Sequence, residues 1–237
     1  VDYIVRIAGT LTSPHSVTYQ NGSQFISEKD SSFSFTNLTL ATGAKFTHGY
    51  NSASAQGKSL QLNISGNLTM QTNALLDVSG RGYPAASGQG RGATATSTQS
   101  GGGAGHGGVG GGGGFAASGG AIYDAALAPT LIGSGGSKSG GAGTCVAGNG
   151  GGAVILNVLG TFDFSGKVLA NGGDSTAGCA YGAGGGAGGA VSIAANTWQG
   201  SSGTITADGG GVATAATAEG GSGGGGAGPT AIPALEN

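Results

Sequence analysis

Three histidines, the residues most often used as general bases or metal ligands, are scattered along the chain. His15, His48 and His106 lie in different segments, and no H-x-x-x-H or H-E-x-x-H spacing joins them. A Ser–His–Asp set could be assembled from the many serines, but no G-x-S-x-G turn between a strand and a helix is indicated. His106, inside the run GAGHGGVG, is interpreted as a packing residue, and no catalytic residue is predicted.

The remaining candidates for acid–base catalysis or metal binding are four aspartates: Asp124, Asp163, Asp174 and Asp208. On one face of a repetitive β fold they could act on acidic glycans, as in polysaccharide lyases, but solvated turns explain them equally well. The turns NGGDS (171–175) and ADGGG (207–211) each bring one carboxylate to a carbonyl-rich bend, which makes a weak Ca²⁺ site. No metal and no other cofactor is predicted.

Aromatic residues in or beside glycine-rich runs are the best candidates for binding. A lone aromatic ring flanked by glycine can stack on a sugar or insert into a partner's groove. Alternatively, each ring covers a glycine layer and supplies apolar area that glycine lacks. The candidates are Tyr83, Phe115, Tyr123, Tyr181 and Trp198.

Two cysteines, Cys145 and Cys179, lie in similar glycine-rich settings. In a chain this poor in charge, the pair predicts one disulfide and an oxidising, extracellular location; two unrelated buried thiols are the alternative. Four N-x-S/T triplets would accept N-linked glycans in a eukaryotic secretory route, although asparagine-rich turns also create such triplets by chance. The asparagines are Asn21, Asn37, Asn63 and Asn67.

The composition excludes several classes of partner. The chain has 237 residues, of which 57 are Gly and only 8% are charged, with a net charge of −2. Eight scattered Lys and Arg residues form no stripe for phosphates, so nucleic acid is not expected as a partner. No apolar run reaches the roughly 18–20 residues of a membrane span. Disorder usually combines low hydrophobicity with high charge, so a folded object is favoured.

An internal repeat organises the glycine-rich part. Residues 151–173 align without gaps on residues 188–210, at an offset of 37 and with 9 of 23 positions identical. Residues 59–82 fit the same pattern with a short insertion. Each unit is interpreted as two or three short strands with period-two alternation, followed by a glycine-rich run. Units of this kind cannot bury a face alone and are expected to stack.

These patterns predict an all-β fold with almost no α-helix, built as a repetitive, solenoid-like parallel β-helix with packed, polyproline-II-like glycine runs. The other possibility is mobile glycine loops attached to a β-helix. We expect an N-terminal β region over residues 1–57 and a glycine-rich β repeat region over residues 58–237. The alternating stretch DYIVRIAGTLT could pair with a sheet edge in the chain or on a neighbour.

The chain resembles a glycine-rich β repeat module of very large secreted or cell-surface proteins, adhesin-like and mostly bacterial. The resemblance covers roughly residues 34–228 and implies an extracellular structural or adhesive role without catalytic residues. A looser similarity links the glycine runs to the tip adhesins of phage tail fibres. The residues that carry the first resemblance are 66–69, 76–83, 151–156, 170–173 and 207–210.

The predicted function is that of an extracellular structural or interaction module in a surface fibre, filament or adhesin. Its expected partners are further copies or neighbouring surface-protein modules, with no nucleic acid and no membrane span. One alternative is an adhesin tip that binds a receptor or a glycan through Tyr83, Tyr123 and Tyr181. A further alternative is a polysaccharide-acting β-helix enzyme.

Overall fold

The computed structural model describes residues 3–30, 32–52, 57–96, 99–114, 117–140, 143–200, 202–213 and 224–232. Within these ranges the chain forms thirteen β-strands and no helix, which confirms the all-β prediction. It follows that none of the described residues belongs to a helix able to cross a membrane.

Two sheets contain all the strands, and every pairing between strands is parallel. The first sheet has the order β1-β3-β5-β8-β10-β12, and the second has β13-β11-β9-β6-β4-β2, with β7 between β4 and β9. The strands are β1 (Ile4–Ile7), β2 (Leu11–Tyr19), β3 (Gln24–Ser27), β4 (Ser32–Leu40), β5 (Lys45–His48), β6 (Leu60–Ile64), β7 (Leu68–Met70), β8 (Leu75–Asp77), β9 (Ala153–Phe164), β10 (Lys167–Leu169), β11 (Ala190–Gln199), β12 (Thr204–Thr206) and β13 (Thr230–Ala231).

The chain alternates between the two sheets, and the apolar faces of both form one buried cluster. Period-two alternation directs every second side chain inward. Because neighbouring strands are in register, these side chains form rows across each sheet, and burying each one contributes about 1.5–3 kcal/mol. One row is Phe25, Phe46, Leu76 and Val168, and another is Phe33, Leu62, Leu156 and Ile193.

Strands on both sides of the predicted boundary at residues 57/58 share these sheets. Strand β4 pairs with β6, and β5 pairs with β8. The division into an N-terminal region and a repeat region therefore stays a prediction from the sequence. The hydrogen bonds of both sheets cross the boundary between the two regions.

Beyond the sheets, the glycine-rich segments pack against one another. Three outgoing segments continue from strands of the first sheet, and three returning segments lead into strands of the second. The outgoing segments are residues 78–87, 170–175 and 207–211; the returning segments are residues 148–152, 183–189 and 224–229. Residues 89–93, 101–106, 108–113, 117–123 and 132–138 lie among them and share their hydrogen bonds.

Hydrogen bonds leave each glycine-rich segment in several directions. In the middle of one returning segment, three consecutive N–H groups donate to three different neighbouring segments. The pairs are Gly186 to Gly173, Ala187 to Ser134 and Gly188 to Gly226, with N···O distances of 3.0, 2.9 and 2.9 Å. A β-strand, by contrast, bonds to neighbours on two opposite sides only.

At many glycines this packing leaves no room for a side chain. A Cβ atom at Gly148, Gly188 or Gly228 would come within 3.0 Å of backbone atoms of neighbouring segments. Glycine is required there because main chains occupy the space where a side chain would stand. The backbone groups buried in this way are largely satisfied by one another, as buried N–H and C=O groups must be.

Candidate functional site

Two of the predicted binding aromatics take part in internal packing. Tyr83 is only 9% exposed and packs in a small buried cluster with Ile132. The Tyr123 hydroxyl donates to the Ile132 carbonyl at 2.6 Å and accepts from the Ser134 hydroxyl at 2.9 Å. Burial raises the pKa of Tyr123 far above its ordinary value. The residues 132–134 thus bring Tyr83 and Tyr123 together inside the glycine-rich region.

The remaining predicted aromatics are spread out. Trp198 is half-buried and packs its ring against Phe162 and Phe164, at centroid distances of 4.9 and 6.2 Å. Tyr181 is half-buried two residues after Cys179. Phe115 lies outside the described residues. The described candidates therefore do not converge on one binding surface, and their role in binding stays a prediction.

His106 lies fully buried in the glycine-rich region beside Asp124. Its Nδ1 is 2.8 Å from the Gly188 carbonyl oxygen, and its Nε2 is 3.3 Å from a carboxylate oxygen of Asp124. Burial lowers the pKa of His106, while the Gly188 carbonyl and Asp124 oppose that change. The Asp124 carboxylate also accepts from the Leu131 amide at 2.9 Å. Through these contacts, His106 and Asp124 link the 124–131 loop to the returning segment 183–189.

His48, at the end of β5, is the second fully buried histidine. Its Nδ1 lies 2.7 Å from the Gly49 carbonyl oxygen, and its Nε2 accepts from the Ala153 amide at 3.3 Å. The neutral imidazole satisfies both contacts, with Nδ1 as donor and Nε2 as acceptor. Burial, reinforced by Arg81 and Lys58, lowers the pKa of His48 from 6.5 to about 4.

Acidification is expected to destabilise the protein through His48. The unfolded chain binds this proton near pH 6.5, and the folded chain binds it only near pH 4. Between these values the unfolded state holds more protons, so stability is complete above pH 6.5 and falls by about 3 kcal/mol towards pH 4. Urea unfolding at pH 7.5 and 5.0 measures the part of this loss that occurs above pH 5, about 2 kcal/mol. The loss of stability should be smaller in His48→Gln, where His106 still titrates. In the exposed-site control His15→Gln, the loss should equal that of the parent chain. An equal loss in the parent chain and both variants contradicts the assignment to His48.

The other acids do not meet at one point. Asp163 lies in β9, whereas Asp174 and Asp208 lie in outgoing segments. An Asp174 carboxylate oxygen accepts from the Gly211 amide at 2.6 Å, so this acid links two adjacent outgoing segments. Among the described residues, no group of three or more His, Cys, Asp or Glu side chains could hold a metal ion.

The four asparagines of the N-x-S/T triplets differ in exposure. Asn21, Asn63 and Asn67 are exposed, and Asn37 is half-buried. Asn37 and Asn67 form a ladder across the second sheet: Asn37 Oδ1 accepts from the Asn67 amide at 2.7 Å, and Asn67 Oδ1 accepts from the Thr161 amide at 2.9 Å. Asn37 Nδ2 also donates to the Ser16 hydroxyl. A glycan on Asn37 would displace that bond, so the exposed Asn21, Asn63 and Asn67 are the more accessible acceptors.

A cleft on the first sheet combines basic groups with an exposed aromatic ring. We call it the basic shelf and define it by Arg6, Glu28, Tyr50, Lys58 and Arg81. The cleft has a volume of ≈ 340 Å³, and its wall also includes Gln24, Ile26 and Gly49. None of these residues was a candidate in the sequence, because they lie in separate segments and belong to no local motif.

Charge is unevenly distributed on the basic shelf. Glu28 accepts from Lys58 Nζ at 2.8 Å and from Arg6 Nη1, and these cations, Lys58 foremost, lower the pKa of the Glu28 carboxyl. Arg81 has no carboxylate partner in the cleft. Its Nη1 donates to the His48 carbonyl at 2.8 Å, and its guanidinium carbon lies 4.6 Å from the centre of the Tyr50 ring.

The predicted disulfide between Cys145 and Cys179 is present, with a Cα–Cα distance of 5.3 Å. It lies at the far ends of the glycine-rich segments, away from the two sheets, where Thr144 donates to the Gly178 carbonyl at 3.2 Å. The chain matches no protein-family model, no curated protein and no solved structure.

Proposed function

We propose that the chain is a non-catalytic structural module of the cell exterior, which forms fibres by continuing its two parallel sheets into another copy. The observation that carries this proposal is the edge at β1, where no further strand lies beyond β1 among the described residues. Strand β1 is the last strand of the first sheet, and Tyr3 and Ile4 are 66% and 60% exposed. The disulfide fits an oxidising, extracellular location.

The backbone of β1 is available for further pairing. The Gln24 amide donates to the Tyr3 carbonyl at 2.7 Å, and the Glu28 amide donates to the Ile7 carbonyl at 2.8 Å. Because alternate residues of a strand face a given neighbour, the N–H and C=O groups of Ile4 and Arg6 point away from β3. An edge of this kind is a template for another strand.

The second sheet ends in β2, which is less open. Pro14 cannot donate a backbone hydrogen bond, and the pairing of β2 with β4 shifts register between Ser13 and Ser16. On either side of this irregularity, Leu11 and Tyr19 are only partly buried against the core. A further copy would cover these side chains while its strand pairs with β1.

The two ends of the sheets are different surfaces, which favours head-to-tail association. The end opposite β1 and β2 consists of the short strands β12 and β13. A copy that places β12 against β1 keeps the parallel strand direction, and the contact joins two different patches. Heterologous contacts that do not close into a ring generate filaments.

The scaffold we propose is a repetitive β-helix whose glycine runs have polyproline-II conformation. The alternation of the chain between two parallel sheets supports the first part. The bonding of Gly186, Ala187 and Gly188 to three different segments supports the second, because polyproline II has three residues per turn. The glycine-rich part of such a scaffold is held by main-chain hydrogen bonds rather than by a side-chain core, which suits a fibre.

The alternative functions have less support. Tyr83 and the Tyr123 hydroxyl make internal contacts, so they offer little to an external receptor. The aspartates considered for glycan cleavage lie in β9, in the 124–131 loop and in two outgoing segments, without a shared cleft.

The proposal predicts assembly that depends on concentration and on the β1 edge. Sedimentation velocity over a concentration series should reveal chains of copies, which electron microscopy should image as thin filaments. Ile4→Lys should shift assembly to at least about tenfold higher concentration, because edge lysines oppose strand pairing. Ile4→Pro, which removes an outward N–H, should act in the same way.

Leu127→Lys is the matched control, since it also replaces an exposed apolar residue by lysine, in the 124–131 loop. It should assemble as the parent chain does. A parent chain that stays monomeric at millimolar concentration, or edge variants that assemble unchanged, would overturn the proposal.

A further inference from the structure

The strongest feature besides the assembly edge is the basic shelf, which shares only Arg6 with strand β1. It holds three of the eight basic residues of a chain whose net charge is −2. Arg6, Lys58 and Arg81 face one carboxylate, Glu28, so the groups that line the cleft carry a net charge of +2. The paired charges Lys45 and Asp77, 2.7 Å apart, lie on the same sheet but do not line the cleft.

The cations of the shelf retain unused hydrogen-bond capacity. A guanidinium has five N–H donors, and the bonds described for Arg6 and Arg81 occupy one each. Lys58 and Arg6 share a single carboxylate, which cannot neutralise both. An added carboxylate or sulfate would therefore find donors already positioned, and such charge-assisted bonds are about twice as strong as neutral ones.

The shape of the cleft points to a small cyclic ligand. Its volume of ≈ 340 Å³ falls within the range of about 300–1,000 Å³ found for small-molecule sites. Gly49 keeps it open, because a Cβ atom there would come within 3.0 Å of Lys58 Nζ. Tyr50, 66% exposed and held against Arg81, offers an aromatic face of the kind on which sugar rings stack.

We propose that the basic shelf binds an acidic saccharide, with the sugar ring on Tyr50 and its carboxylate or sulfate between Arg81 and Lys58. Nucleic acid is a poorer fit, because the positive charge is confined to one cleft and forms no stripe that could follow a phosphate backbone. The site goes beyond the proposed assembly and would bring a fibre of such modules into contact with acidic surface polysaccharide.

Calorimetry with defined oligosaccharides tests the proposal. The probes are a tetrasaccharide of galacturonic acid, a sulfated heparin tetrasaccharide, and the galacturonate probe with its carboxylates methyl-esterified. At least one acidic probe should bind, with an affinity that decreases as salt is raised, and the esterified probe should not. Arg81→Gln and Tyr50→Ala should each weaken binding by about tenfold, the loss expected for a bond to a charged group.

Lys167→Gln is the matched control: it removes a basic, exposed residue of the same sheet outside the cleft, and binding should change by less than about twofold. Because Arg81 also bonds to the His48 carbonyl, the exposed residue Tyr50 supplies the variant whose folding is least affected. No binding of either acidic probe, or equal binding of a DNA oligonucleotide of the same charge, would overturn the inference. None of these results depends on assembly, since all are measured on chains below the assembly concentration.

Discussion

Replacing Gly148 and Gly188 together by alanine is expected to unfold the protein. Each added methyl group would meet backbone atoms of other glycine-rich segments at less than 3.0 Å. Backbone cannot rotate away as a side chain can, so we expect a loss of about 3 kcal/mol at each position, at the upper end of the range for overpacking. Each loss is a large share of the roughly 5–15 kcal/mol stability of a typical domain, and because both changes disturb the segment 183–189, the single variants are measured beside the double variant.

Urea unfolding of the single and double variants measures these losses, and Gly108→Ala is the control within the same glycine-rich region. A Cβ atom at Gly108 would have its nearest contact at 3.4 Å, on the Ala227 amide nitrogen, an ordinary van der Waals distance. Gly9→Ala, with open space around the new methyl group, is the control outside that region. If Gly148→Ala and Gly188→Ala are as stable as the two controls, the glycine segments are not packed as described.

The repeat in the sequence predicts much of the strand pairing. The offset of 37 places Val154 beside Val191 and Lys167 beside Thr204, and both pairs are neighbours in the sheets. It fails in the middle of β9 and β11. The gapless alignment places Thr161 opposite Trp198, but the structure pairs Thr161 with Thr197, after a register shift that follows Ala195.

The reason for this failure is local. The shift occurs at Gly160, because Leu159 and Gly160 of β9 lie opposite the single residue Asn196 of β11; the Gly160 amide donates to the Gly66 carbonyl at 2.9 Å. A bulge absorbs one residue at a bend without changing the alternation on either side. After the bulge the offset returns to 37, as in the pair Lys167 and Thr204. An alignment based on residue types therefore cannot detect the extra residue.

The basic shelf was out of reach of sequence reasoning for a different reason. Arg6, Glu28 and Lys58 are separated by 22 and 30 residues, which no local motif spans. They meet because successive strands of a parallel sheet bring distant segments side by side. The register of β1 and β3 would place Arg6 close to Glu28, but Lys58 and Arg81 lie outside these strands, in the segments before β6 and after β8.

The sequence predicts that the glycine runs pack against one another, but it does not predict which run lies beside which. Composition indicates only that dense neighbours must compensate for the backbone entropy, about 1–2 kcal/mol for each ordered residue. Which segment neighbours which depends on the strands that precede and follow it. The Gly189 amide, for example, donates to the Ala170 carbonyl, because the segment that follows β10 lies beside the segment that leads into β11.

Removing the disulfide is the second change with a large expected effect. The bond between Cys145 and Cys179 closes a loop of 34 residues, which contains β9, β10 and the outgoing segment 170–175. By the chain-entropy estimate, opening a loop of this length costs about 4 kcal/mol, because the unfolded chain regains its freedom. We therefore expect Cys145→Ser/Cys179→Ser to be less stable by about 2–4 kcal/mol at neutral pH.

The measurement is urea unfolding of the parent chain with and without dithiothreitol, beside the double variant. Reduction should lower the stability of the parent chain to that of the variant and leave the variant unchanged. Strands β9 and β11 are held by their own pairing, so the sheets should persist, and hydrogen exchange should increase most near residues 143–147 and 176–180. Equal stability of the oxidised and reduced chains would mean that the glycine-rich segments hold their far ends together without the covalent link.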